Sequence, residues 1–182
     1  MMNNVPIDGH GAGLNGKDIN AYLTAGITTD HECVKPEEMI ERVRRGMYVM
    51  LREGSAARNL HDLLAGYSKE LSHRLMFCTD DKHIDDLLEE GSIDYHVREC
   101  LKAGIDIYSI MRMASLNAAQ CYSLKGKGAI APGYDADFIL LNAIEGFDIH
   151  SVWVNGIRYE EENEQAKEAS FENTVILGSY SK

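Results

Sequence analysis

The sequence predicts an α/β fold: a parallel sheet of repeated β/α units amounting to half of an eight-stranded barrel, followed by a β-rich module. Three observations lead there. Four short apolar runs begin near Val5, Gly26, Met47 and Leu75, which lie 21, 21 and 28 residues apart, and a helix-like segment follows each. Each run stops abruptly in glycine or ionisable residues, as a buried strand does when its C-terminal mouth carries chemistry. After Lys125 the helical periodicity gives way to turn-rich sequence and short β-rich runs.

Val5-Pro6-Ile7 is the first predicted strand, and it breaks into Asp8-Gly9-His10-Gly11-Ala12-Gly13, so His10 stands at its exit. A short helix over Gly16 to Ala25 places Ile19, Tyr22 and Leu23 on one face. The β-branched run Gly26-Ile27-Thr28-Thr29 then exits into Asp30-His31-Glu32-Cys33. Pro36 in a first turn and Glu37 and Glu38 beside it mark a helix start, with Met39, Ile40 and Val43 at helical spacing up to Gly46. Met47 to Leu51 is a third strand that exits into Arg52-Glu53-Gly54-Ser55, and a helix is expected over Ala56 to Ala65. The fourth, from Leu75, ends in Thr79-Asp80-Asp81-Lys82-His83. Helices follow at Ile84 to Glu90, from Ser92-Ile93-Asp94 to Gly104, and over Ile105 to Leu124 with Asp106 as N-cap. Met76, Met111 and Met113 read as gap-filling core.

Beyond the boundary near Lys125, a turn-rich segment leads to a strand at Phe138 to Leu141. A second, Val152-Trp153-Val154, meets the hairpin signal Asn155-Gly156. The acidic run Glu160 to Glu168 is expected to be solvated loop or frayed helix, and Thr174 to Leu177 a last strand.

Composition narrows the function. A net charge of -11 argues against nucleic acid or an anionic membrane as partner. Arg42, Arg44 and Arg45 form the one dense basic cluster and, following Glu37, Glu38 and Glu41, are expected on a solvated helix face. Cys33, Cys78, Cys100 and Cys121 form no C-x-x-C pair and read as reduced thiols. No secretory leader opens at Met1, and no apolar stretch approaches the roughly 18 to 20 residues of a membrane span, so a cytoplasmic location is expected.

Two neutral imidazoles, His10 and His31, and the Asp80 carboxylate, delivered from three strand ends, suit a divalent transition metal such as zinc, iron or manganese. Such an ion brings the pKa of water toward neutrality, and Asp80 suits both ligand and proton-transfer base. Glu32 reads as support for the ligands, as a proton shuttle, or as a carboxylate approaching the next helix. Glu53 and Ser55 are placed to hydrogen-bond a polar substrate, and Asp81 stands beside them in a charged loop with Lys82 and His83. His61, His73, His96 and His150 lie away from strand exits and are assigned no chemistry.

These residues resemble those of the metal-dependent amidohydrolase superfamily, and more specifically its bacterial adenine deaminases. The likeness rests on VPIDGHGAG at Val5 to Gly13, TDHEC at Thr29 to Cys33, GMYVMLREGSAA at Gly46 to Ala57 and FCTDDKHIDDLL at Phe77 to Leu88. LNAAQCYSL at Leu116 to Leu124 and GAIAPGYDADFILL at Gly128 to Leu141 complete it.

The resemblance implies hydrolysis of adenine to hypoxanthine and ammonia at a binuclear manganese or iron centre. His10 and His31 would be the metal-ligand histidines of the fifth and sixth barrel strands, and Asp80 the ligand and base of the eighth. Glu32 joins Asp80 as a candidate catalytic residue, and Glu53, Ser55 and Asp81 are candidate contacts to a purine base. It further implies a partial (β/α)8 TIM barrel, strands 5 to 8 with their helices, over 1–125. Residues 126–182 would hold β-strands of the small amidohydrolase β-sandwich domain and an acidic tail.

The family's first-strand His-x-His pair and fourth-strand carboxylate do not precede His10. Gly11-Ala12 stands where Ala-Pro is usual, and Ile84 where proline is common. The chain is therefore expected to be a piece with little or no activity alone, and to form a homo-oligomer or pair with a missing half to cover its sheet edges. Two alternatives remain at this stage. One is another amidohydrolase, dihydroorotase-like or a guanine-type deaminase; the other is a non-catalytic remnant acting as an assembly module.

Overall fold

The computed structural model describes residues 6–160. Its organising element is a three-stranded parallel sheet in the order β1 (Thr29–Asp30), β2 (Tyr48–Arg52) and β3 (Leu75–Cys78). The register pairs Thr29 with Tyr48, Leu51 with Phe77 and Arg52 with Cys78. On the β1 side the sheet continues as a single parallel bridge between Ile7 and Ile27. The first predicted strand is thus reduced to one bridging residue, with Val5 outside the described residues, and the second is shorter than its apolar run. Past the bridge the chain runs close against β1, and Gly9 makes that possible: a Cβ there would lie 2.4 Å from the Thr29 carbonyl oxygen.

Side chains alternate across the strands with a period of two. Val49, Leu51, Leu75 and Phe77 face the main core, built with Met39 and Val43 of α2 (Pro36–Arg44) and Leu60 and Leu63 of α3 (Leu60–Leu64). Val97 and Cys100 of α5 (Ile93–Lys102) close it, together with Ile110 and Met113. Full burial of one such Val or Leu stabilises by roughly 1.5–3 kcal/mol. On the opposite face Met50 and Met76 pack with Cys121. The same alternation carries Arg52 to the Met50 side.

α1 (Gly16–Thr24) precedes β1, and α4 (Ile84–Glu90) fills the connection between β3 and α5. Two helices differ from expectation. α3 begins at Leu60 because Gly54 to Asn59 is held as a loop, with Glu53 bridged to Arg58. The segment expected as one helix over Ile105 to Leu124 runs as α6 (Ile107–Met111), a π turn (Arg112–Leu116) and α7 (Asn117–Cys121). Beyond the turn lies buried Asn117, whose Nδ2 donates to the carbonyls of Ser72 and Leu75 at 2.7 Å each. Asp106 caps α6 as predicted, accepting the Ser109 N–H at 3.0 Å.

A second, antiparallel sheet contains β4 (Phe138–Ala143), β5 (Asp148–Val154) and β6 (Ile157–Arg158). Asn155 and Gly156 both take positive φ, 51° and 75°, which the tight β5–β6 hairpin requires. β5 begins at Asp148, four residues earlier than the predicted strand. Leu141 and the buried Phe147 reach the main core. Most of the acidic run and the last predicted strand lie outside the described residues. Among the described residues no helix is long and apolar enough to cross a membrane.

Candidate metal centre

The mouth of the parallel sheet is assembled on a buried ion pair that the sequence did not reveal. Arg42 was expected on a solvated helix face; both it and Asp30 are fully buried. Arg42 Nε donates to Asp30 Oδ2 and its Nη2 to the Gly11 carbonyl at 2.6 Å. The other oxygen of Asp30 accepts the N–H groups of Gly11 at 3.2 Å and Glu32 at 3.0 Å. The correction has a simple cause: Arg42 projects from α2 onto the end of β1, where a buried carboxylate awaits it. The pair ties together the loops that carry His10 and His31.

His10 is further fixed by its own N–H, which donates to the Tyr22 hydroxyl at 2.7 Å, while its ring stands largely open, 73% exposed. His31 is mostly covered. Asp8 Oδ2 lies 3.2 Å from His31 Nδ1, which favours the ring proton on that nitrogen and leaves Nε2 a free lone pair. Asp8 is itself held by Thr29 Oγ1 at 2.5 Å and the Gly9 N–H at 2.9 Å.

Glu32 Oε1 lies 3.5 Å from both His10 Nδ1 and His31 Nε2. One ligand atom from each of His10, His31 and Glu32 falls within 4.8 Å of the others. Asp80 stands at the edge of this group, with Oδ1 4.0 Å from His31 Nε2 and its backbone at a positive φ of 48° that turns the chain sharply after β3. Two imidazole nitrogens and one or two carboxylates, converging without a lysine among them, fit a divalent cation by donor type and spacing. Arg52, at the end of β2, donates from Nη1 to Glu32 and, at 3.2 Å, to Asp80 Oδ2.

The three candidate substrate residues lie outside this cluster. Glu53 is buried; its carboxylate accepts the Leu60 N–H at 3.1 Å, and burial raises its pKa against that bond and the nearby His61 and Arg58. Ser55 donates to Asp86 and accepts the His83 N–H at 2.8 Å. Asp81 accepts the Ala56 N–H at 3.1 Å. Although partial desolvation opposes it, this and other loop N–H groups hold the Asp81 carboxyl below its usual range. Ser55 and Asp81 therefore knit the loop after β2 to the segment after β3, while the Glu53 carboxylate stays within its own loop, on Leu60 and Arg58. Cys78 is no nucleophile here, since burial pushes its thiol up to about 12.

Asp8 and Arg52 are the site residues that sequence reasoning missed. Asp8 had a usable signal, a carboxylate two residues before a strand-exit histidine. Arg52 had none, because it sits in a run that reads as an ordinary polar exit.

A parallel β/α sheet whose strand ends gather histidines and carboxylates makes this an α/β protein with a candidate cation site at the sheet mouth. The chain belongs to the amidohydrolase family, which it matches over residues 1–158. It is 52% identical over 151 residues to an adenine deaminase of Bacillus licheniformis, covering 83% of this chain and 26% of that protein. It is 54% identical over 150 residues to an adenine deaminase of Bacillus pumilus, covering 82% and 26%. The chain thus spans about a quarter of the length of these curated relatives, 26% in both cases. Among solved structures, a β-aspartyl dipeptidase of Fervidobacterium islandicum AW-1 shares the fold with a TM-score of 0.61 at 21% identity, over 81% of this chain and 45% of that one. An amidohydrolase of Thermotoga maritima does so with a TM-score of 0.56 at 16% identity, over 84% and 43%.

Proposed function

We propose that this chain carries part of the active site of an adenine deaminase, in which adenine and water give hypoxanthine and ammonia. The observation that supports this best is the convergence of Glu32 and Asp80 on His31 Nε2, in a sequence about half identical to proteins named adenine deaminase. Residues 1–125 are read as strands 5 to 8 of a (β/α)8 barrel and 126–182 as part of a small β-sandwich domain with an acidic tail. His10, His31 and Asp80 would hold the metal, manganese or iron with zinc as the other choice, and Glu32 lies close enough to join them. When bound, a divalent cation lowers the pKa of water and polarises the group under attack.

The chain's own residues account for the proton traffic. Asp80 accepts the proton of the water whose oxygen adds to C6 of the purine, then returns it to the exocyclic nitrogen as the C6–N bond breaks. Glu32 keeps the histidine side of the site negative. Ser55 and Asp81 act through the loop wall they knit together, which Glu53 braces from within and against which the purine would rest. The net charge of -11 accords with a small neutral base rather than nucleic acid or membrane as partner; a cytoplasmic homo-oligomer is part of the same proposal.

The test is ammonia and hypoxanthine release from adenine in the presence of Mn2+ by the chain supplied with the remaining strands of the barrel, with guanine and dihydroorotate as competing substrates. Adenine turnover that falls at least about a hundredfold in Asp80→Asn supports the reading. Turnover that survives this change, or a preference for either competitor, overturns it.

A further inference from the structure

Among the described residues Arg52 is the buried cation bonded to the candidate carboxylates Glu32 and Asp80, and the proton traffic above does not use it. Only 6% of the residue is exposed. A single nitrogen, Nη1, serves both Glu32 Oε1 and Asp80 Oδ2, while Nη2 donates to Asn59 Oδ1 at 3.1 Å. Nε is buried without a partner among the described residues. The guanidinium is charged throughout the pH range in which the protein is folded, as arginine is in any protein.

Two effects then oppose each other. On charge alone, a guanidinium beside a divalent cation repels it and partly neutralises the carboxylates that attract it, so Arg52 weakens cation binding. On geometry, it removes rotational freedom from those same carboxylates. With Asp80 Oδ2 taken by Nη1, Oδ1 is the oxygen left facing His31 Nε2, at 4.0 Å. Glu32 differs: Arg52 holds the very oxygen, Oε1, that lies 3.5 Å from each histidine, so it fixes that oxygen in place and shares it with a cation. A planar fork braced at a third point can enforce such an arrangement; a lysine ammonium, a point charge on a flexible stem, cannot.

We propose that Arg52 is a positioning residue of the metal site: its fork, braced on Asn59, makes Glu32 and Asp80 each present one defined oxygen to the histidines, at the expense of raw cation affinity. The proposal rests on the reading of His10, His31 and Asp80 as metal ligands. It separates orientation from charge, and Arg52→Lys distinguishes them because it keeps the charge and loses the fork.

The experiment titrates Co2+ into the wild-type chain and into Arg52→Lys, Arg52→Gln, Asn59→Ala and His31→Ala. Visible absorption reports the ligand geometry, the titration gives Kd, and far-UV circular dichroism checks the fold. Arg52→Lys is expected to bind within about threefold of wild type but with an altered visible spectrum. Arg52→Gln is expected to bind about tenfold more tightly with a similarly altered spectrum, because the repulsion is gone. Asn59→Ala shifts the spectrum in the direction of Arg52→Lys, and it carries the decision together with the lysine variant if Arg52→Gln does not fold. A wild-type spectrum in Arg52→Lys shows that only the charge matters and overturns the proposal. A wild-type chain that yields no Co2+ spectrum, or one unchanged by His31→Ala, overturns the ligand reading and the proposal with it.

Discussion

Two arginines lie at opposite levels of the same sheet mouth, and their surroundings differ in one instructive respect. Arg42, beneath the histidines, is closed in: Nε meets Asp30, Nη1 the Glu38 carbonyl at 3.2 Å and Nη2 the Gly11 carbonyl at 2.6 Å. Neither partner of its ion pair is exposed. Arg52, at the rim, divides one nitrogen between two carboxylates and leaves Nε unpartnered among the described residues, and its Asp80 partner is 37% exposed. A fully satisfied buried pair is scaffold, since any change leaves a bare charge behind. The rim pair still has bonding capacity, because Asp80 Oδ1 takes no part in it and faces His31 Nε2.

The largest test of this contrast is Arg42→Met, which strands Asp30 as an unpaired buried carboxylate and is expected to cost about 3–5 kcal/mol. Urea unfolding measures it, and a loss under about 1 kcal/mol would break the distinction between floor and rim. At the rim the weight should fall on ligand binding instead. His31→Ala is expected to weaken Mn2+ binding by at least about a hundredfold while shifting stability by no more than about 1 kcal/mol. Calorimetric titration beside the urea curve reads both, and a stability loss as large as that of Arg42→Met would make His31 part of the scaffold. Asp8→Asn, which removes the carboxylate beside His31 Nδ1, is expected to weaken Mn2+ binding by about tenfold.

The smallest effect separates the histidines themselves. His96 is buried, with its ring nitrogens 3.1 Å from the Ser92 carbonyl and 2.9 Å from the Cys78 carbonyl. Burial lowers its pKa below 6.5, against the pull of those carbonyls. The unfolded chain therefore takes up the proton first, so the stability held above pH 6.5 declines as the pH falls through that value toward the folded pKa. Thermal melts at about pH 7.5 and about pH 5.5 should show a drop that shrinks in His96→Gln. An equal drop in that variant would assign the dependence to other groups.

Much of this was legible in the residues. A strand exit announces itself by an abrupt change of residue class, so the places of His10, His31 and Asp80 just beyond the Ile7 bridge, β1 and β3 are legible in the residues alone. The helix over Pro36–Arg44 and the hairpin at Asn155-Gly156 were equally plain, because caps and turns are set by near neighbours. The loop roles of Glu53, Ser55 and Asp81 were not. Each carboxylate or hydroxyl could serve a ligand or a backbone N–H equally well, and only the folding of the loop after β2 and its approach to the segment after β3 decide which contacts it makes.

The sequence by itself determined the β/α alternation, the exits and the residue types that suit a divalent cation, because periodicity and turn chemistry act over a few residues. Tertiary structure decided the charge partnerships. Arg42 finds Asp30 twelve positions away and Gly11 thirty-one away, and Arg52 finds Glu32 and Asp80 at separations of 20 and 28. Those meetings depend on the parallel register that sets Arg52 beside Cys78 and on the angle at which α2 lies over β1. A charge pattern along the chain records neither, so an arginine that reads as solvated can prove to be the floor on which the site is built.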